Sequence, residues 1–185
     1  MESVAGAIPA GAAAFAATNV DDLFLLVAWF AAGRTRARSI VAGQYLGIGA
    51  LFAASAAASA VSLVVPEDWL RWLGLLPLLL GIKLLVSAGK EDEAGEAAGV
   101  WAVTAVTVAN GADNIAVYVP LFANSSAQAI ALMGAVFAVL LALWCLAARW
   151  LVHHPAAGAP LRRHGPPLVP WVLVALGVWI LLGGL

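Results

Sequence analysis

Six apolar stretches dominate the chain, at roughly 8–32, 39–64, 68–88, 100–122, 126–152 and 168–185, and short polar connections separate them. A helix needs about 20 apolar residues to cross a bilayer. The spacing therefore predicts six transmembrane helices and leaves no room for a soluble domain, so residues 1–185 read as one transmembrane domain. Polar clusters interrupt two of the stretches near their centres. The first holds Thr18-Asn19-Val20-Asp21-Asp22 and the fourth Asn110-Gly111-Ala112-Asp113-Asn114. A carboxylate at bilayer depth costs about 2.5–3.5 kcal/mol, and three cost roughly 8–10 kcal/mol unless protonated, paired or cation-bound. The simplest use for them is binding a cation on its way across.

Composition sharpens this reading. The chain is 64% hydrophobic and 10% charged, against about 45–50% and about 25% in soluble domains. An all-α polytopic membrane protein follows, with the lipid bilayer as its first partner. A net charge of −1 gives no case for nucleic acid as a partner. Cys145 is the single cysteine, so no intrachain disulfide can form. The start, Met1-Glu2-Ser3-Val4, carries no basic residue, which argues for a retained first helix over a cleaved signal peptide.

Basic residues orient the helices. Arg34, Arg36 and Arg38 lie in connection 1–2, Lys83 and Lys90 at connection 3–4, and Arg149, Arg162 and Arg163 at connection 5–6; the other side holds only Arg71. The positive-inside rule places those three connections in the cytoplasm and both termini outside, for a multi-pass protein of the inner (plasma) membrane.

Residues 17–31 align without gaps to 109–123, at an offset of 92. Asp21 meets Asp113, Phe30 meets Phe122, Asp22 meets Asn114 and Thr18 meets Asn110. Gly49-Ala50-Leu51-Phe52 echoes Gly134-Ala135-Val136-Phe137. Repeat 1 runs over about 8–88 and repeat 2 over about 100–185. Three helices per half is an odd number, so the expected architecture is two inverted three-helix repeats, with helices 1 and 4 interrupted at the midplane. Transporters recurrently place their sites at such interruptions.

On a continuous helix Asp21 and Asp22 would point about 100° apart. Both reach one cavity more easily if the helix unwinds. Asn19 and Val20 are poor helix formers, and Gly111 costs about 1 kcal/mol relative to Ala. Unwinding also frees carbonyls that can ligate a cation, and irregular backbone is tolerated at depth where it lines a cavity. The expected metal site is Asn19, Asp21, Asp22, Asn110, Asp113 and Asn114, with Thr18, Gln44 and Thr107 in a second shell or along the path. The structural alternatives are asparagines joining helices 1 and 4, threonine hydroxyls bonded back to their own helices, and Gln44 bonding a neighbouring backbone. An all-oxygen site suits Mg²⁺, Ca²⁺ or Mn²⁺ better than a soft ion.

Other polar residues read more plainly. Lys83 is expected to snorkel to the interface, Cys145 to be a small buried apolar residue, and Tyr118 to serve packing. Trp69, Trp101, Trp150 and Trp171 fall near segment ends, as in an interfacial belt. The acidic run 91–96 reads as a solvated loop, with cation concentration as the alternative. His153, His154 and His164 read as a polar connection, with metal binding as the alternative. No phosphate-binding loop, zinc-protease motif or nucleophile elbow occurs. An enzyme is not expected, and neither is a cofactor beyond a transported divalent cation.

The run Thr18-Asn19-Val20-Asp21-Asp22-Leu23-Phe24 resembles the helix-1 motif of the cadmium-resistance transporter family, within the lysine-exporter superfamily. Gly43-Gln44-Tyr45-Leu46-Gly47-Ile48, Leu80-Gly81-Ile82-Lys83, and Ala109 to Ile115 followed by Tyr118-Val119-Pro120-Leu121-Phe122 are similar to its motifs in helices 2, 3 and 4. The resemblance covers nearly the whole chain. It implies efflux of Cd²⁺ or a related divalent cation such as Zn²⁺, with Asn19, Asp21, Asp22, Asn110, Asp113 and Asn114 as the transport site.

Three carboxylates with no embedded Lys or Arg to neutralise them suggest protons as the coupling ion. The rivals are an exporter of Mn²⁺, of lysine or of a quaternary amine, a metal-dependent membrane enzyme, and a structural subunit. Gly43, Gly47 and Gly49 permit close helix packing within or between subunits, so a homodimer is compatible with the sequence.

Overall fold

The computed structural model describes residues 4–60, 75–86 and 96–154, and residues 171, 174, 175, 178, 181 and 182 near the C-terminal end. Every regular element among them is an α-helix: α1 (Val4–Thr18), α2 (Val20–Ala32), α3 (Ala37–Ala60), α4 (Leu75–Val86), α5 (Glu96–Asn110), α6 (Ala112–Ala123) and α7 (Ala127–His153). The connection bearing Trp69 and Arg71, the run 87–95, residues 155–170 with Arg162, Arg163 and His164, and the side chain of Lys83 lie outside the described residues.

The predicted first stretch is two helices, α1 and α2, bent by 58° at Asn19. The predicted fourth stretch is α5 and α6, which part at Gly111. By length and composition α3 and α7 can each cross a membrane, and α1 with α2 would make a third span. The ends of these elements follow local chemistry. Gly33 closes α2 at φ 66°, in the left-handed region that glycine adopts without strain. The Ser126 hydroxyl accepts the Ala129 N–H at 3.2 Å and caps α7.

Each long helix packs along one broken pair. The long helix α3 lies along the broken pair α5–α6, and the long helix α7 lies along the broken pair α1–α2. Gly43 and Gly47 make the first contact possible. A Cβ on Gly47 would stand 2.5 Å from Thr107 Cβ, and one on Gly43 would stand 2.6 Å from Val103 Cβ. Gly49 meets no atom of the described residues within 4 Å. Two of the three glycines are thus used inside the chain.

The core between these pairs is aromatic. Phe137 packs on Phe15, Phe52 and Tyr118 with ring centroids 5.5, 5.5 and 4.8 Å apart, and Phe52 packs on Phe122 at 4.8 Å. Phe52 and Phe137, matched in the sequence echo, therefore touch one another. Large apolar side chains lie on the outside among the described residues: Phe24 is 69% exposed, and Leu79, Val139, Leu146 and Trp150 also point outward. The interior holds Thr18, Asn19, Asp22, Gln44, Thr107, Asn110 and Asn114. Apolar groups outside and polar groups inside suit a lipid surround, where a polar side chain has no water to face.

Candidate cation site

Asn19 turns the chain between α1 and α2. Its backbone sits at φ −121°, ψ 16°, away from the helical values near −63° and −42°. The hydrogen-bond ladder nevertheless crosses the bend, through Asn19 N–H to Phe15 O at 3.0 Å and Leu23 N–H to Asn19 O at 3.3 Å. Trp144 of α7 adds its indole N–H to the same Asn19 carbonyl at 2.8 Å. The Asn19 carbonyl is therefore doubly engaged.

The second break repeats this local form. Gly111 has φ −88° and ψ 26°, and the Ile115 N–H reaches Gly111 O at 3.2 Å. Asn19 and Gly111, and Leu23 and Ile115, stand at the same offset as Asp21 and Asp113. The φ of Gly111 is open to any residue, so flexibility is not what the position needs. A Cβ there would collide with the Leu51 side chain of α3, so any larger residue would need that side chain to shift.

Each break opens a helix whose first turn carries a carboxylate: Asp21 and Asp22 on α2, Asp113 on α6. Negative charge is favoured at a helix N-terminus. Asp21 Oδ1 accepts the Asp22 N–H at 2.9 Å, and Asp113 Oδ1 accepts the Asn114 N–H at 2.8 Å. Asn110, at the end of α5, joins the two breaks. Its Nδ2 donates to Asp21 Oδ2 at 2.7 Å and approaches Asp22 Oδ1 at 3.4 Å. Asp22 is 1% exposed, while Asp21 and Asp113 are half-buried.

A second polar knot surrounds the Asn19 side chain. Asn19 Nδ2 has four acceptors in reach for its two hydrogens: Phe15 O at 2.9 Å, Thr18 Oγ1 at 2.9 Å, Tyr118 Oη at 2.9 Å and Asn114 Oδ1 at 3.1 Å. The Thr18 hydroxyl donates to Ala14 O at 3.0 Å, so it accepts from the Tyr118 hydroxyl at 2.9 Å. Thr107 donates to Gln44 Oε1 at 2.7 Å. Among the described residues Asn19 Oδ1, Asp22 Oδ2, Asn114 Nδ2 and Gln44 Nε2 are buried without a hydrogen-bond partner. A buried polar atom without a partner costs about 1–3 kcal/mol. Two of these four atoms are oxygens that a cation could take.

Six expected ligands therefore fall at the two breaks, but not as one closed cage. Asn110 bridges Asp21 and Asp22, and Asn19 bonds Asn114, whereas Asp113 Oδ1 accepts the Asn114 N–H of its own helix. Among the described residues no three His, Cys, Asp or Glu side chains are grouped to hold a metal. That includes His153 and His154. His153 Nδ1 lies 2.7 Å from Arg149 O, and the His154 ring packs on Trp150 at 4.9 Å. Tyr118 and Trp144 belong to the site although the sequence reading gave them no polar role. Tyr118 follows Asn114 by four residues and so shares its helix face, which the sequence alone shows. For Trp144 no local signal exists, since only the packing of α7 against α1–α2 brings it to Asn19.

No curated protein and no solved structure matches this sequence. The family model described as cadmium resistance transporter matches residues 15–184, a span holding both breaks and every candidate ligand. The chain belongs to the cadmium resistance transporter family.

Proposed function

We propose that this protein exports divalent heavy-metal cations, Cd²⁺ first and Zn²⁺ second, in exchange for protons. In this reading it is one transmembrane domain of six spans built as two inverted repeats in the inner (plasma) membrane, with both termini outside. The reciprocal packing of α3 on α5–α6 and of α7 on α1–α2 supports the repeat, as do the matching hydrogen bonds at Asn19 and Gly111. The observation that carries the function is the meeting of Asp21, Asp22 and Asn110 where one helix bends and another ends. Family membership supports metal efflux over catalysis.

The cation would be bound by Asp21, Asp22 and Asp113, with amide oxygens from Asn19, Asn110 and Asn114. Asn110 now donates to the carboxylates; a cation arriving between them would replace that N–H, and a turn of the amide would present its oxygen. Asp113 would join them from α6, across the second break. Carrying a divalent ion outward against 100 mV costs about 4.6 kcal/mol, and two protons moving inward cancel the electrical part. The same carboxylates can carry those protons once the metal has left.

The test is growth of cells expressing the protein against graded Cd²⁺, Zn²⁺, Mn²⁺ and Co²⁺, beside an Asp21→Asn/Asp113→Asn variant at equal membrane abundance. Protection against Cd²⁺ that the variant lacks is expected. Protection that survives in the variant would overturn the site, and protection against Mn²⁺ alone would overturn the substrate. In liposomes holding the purified protein, Cd²⁺ flux should follow an imposed pH gradient; flux indifferent to it would refute proton coupling.

A further inference from the structure

A groove of about 430 Å³ opens at the far end of α2 from the bend, lined by Phe30, Val41, Ala42, Cys145 and Leu146, with Arg38 and Arg149 among its walls. It lies between the last turn of α2, the first turns of α3 and the last turns of α7. Two guanidinium groups make it a poor path for a metal cation. We propose that this groove binds an anionic phospholipid, independently of how the ion site works.

The wall chemistry divides as a lipid does. The aromatic ring and aliphatic groups offer an acyl chain an apolar track, and Arg38 and Arg149 offer a phosphodiester charge-assisted donors. Both arginines are exposed side chains, within reach of a headgroup. The N-terminus of α3, 24 residues long with no acidic residue in its first turn, adds its positive end beside Arg38. Depth agrees with this occupant: Trp150, 64% exposed, follows Arg149 at the end of α7, as aromatic residues do at the membrane interface. Basic pockets between transmembrane helices are a recurrent form of acidic-headgroup site. A free phosphate would use the arginines but leave the apolar walls uncovered, so a lipid fits more of the groove.

The test is native mass spectrometry of the intact protein in detergent, titrated with dioleoyl phosphatidylglycerol or dioleoyl phosphatidylcholine. Each arginine beside an anionic headgroup is worth roughly 5-fold in affinity. Wild type should prefer phosphatidylglycerol, and Arg38→Gln/Arg149→Gln should lose roughly 25-fold for it, while phosphatidylcholine binding stays unchanged. Ala42→Phe fills the groove without touching its charge, and should weaken binding of the long-chain lipid. That variant keeps the question decidable if the double arginine variant fails to fold. Equal affinity for the two lipids would overturn the proposal, as would phosphatidylglycerol binding unchanged in Ala42→Phe. Inorganic phosphate that competes at the same concentration as the lipid would mean a free-anion site instead.

Discussion

Gly47→Ala is the sharpest single probe of this architecture. The added Cβ would lie 2.5 Å from Thr107 Cβ and 2.6 Å from Thr107 Cγ2. Carbon atoms rest at about 3.5–4.0 Å. Rotating Thr107 cannot relieve the clash, because its Cβ is fixed to the α5 backbone. The helices must therefore separate by about 1 Å. Overpacking of this kind costs about 1–3 kcal/mol. The same separation stretches the 2.7 Å bond from Thr107 to Gln44, whose loss adds about 1 kcal/mol. Helix propensity returns up to about 1 kcal/mol, since alanine is the better helix former. The net expectation is a loss of about 1–3 kcal/mol. Gly49→Ala is the control: same helix, same added methyl, and no atom of the described residues within 4 Å. It should be neutral or stabilising by up to about 1 kcal/mol. Thermal unfolding in one detergent at one scan rate, followed by tryptophan fluorescence, reads the difference. A chain of this size shifts by about 2–4 °C per kcal/mol, so the two variants should part by at least about 4 °C. Equal midpoints, or a Gly47→Ala midpoint above that of Gly49→Ala, would refute the close packing of α3 on α5.

Asn110→Leu strips the donor from Asp21 Oδ2 and Asp22 Oδ1, and hydrogen bonds to charged groups are worth about 1.5–3 kcal/mol. Stability should fall by that order, and a double-mutant cycle with Asp21→Asn should give a coupling of about 0.5–3 kcal/mol; additive losses would mean that the two side chains do not bond. Trp144→Phe removes the indole N–H from the Asn19 carbonyl and should cost about 1 kcal/mol. Hydrogen exchange should speed up across 19–23 at the bend, and unchanged protection there would show that Leu23 alone holds that carbonyl.

Much of this was legible in the chain. Apolar runs of bilayer length announce membrane helices because lipid leaves every backbone group to be satisfied within a helix. The polar clusters announce the breaks, since carboxylates at depth are too costly to be incidental. Asn19 and Gly111, poor helix formers beside those carboxylates, are the residues at which the helices part. Local composition decides these features, so sequence suffices for them.

What only the tertiary structure decided is which groups meet. Asn110 reaches Asp21 across 89 positions and Trp144 reaches Asn19 across 125, and no periodicity encodes such pairings. Gly111 was expected only as a poor helix former, and it also leaves space for Leu51; Tyr118 looked like packing and its hydroxyl closes a polar knot around Asn19. Unwinding was expected to free carbonyls, yet the Leu23 N–H and an indole from α7 both take that of Asn19. Each difference has one physical source. A helix sequence states its own ladder and its own polar atoms, but the space and the partners around them are set by the neighbouring helices packed against it.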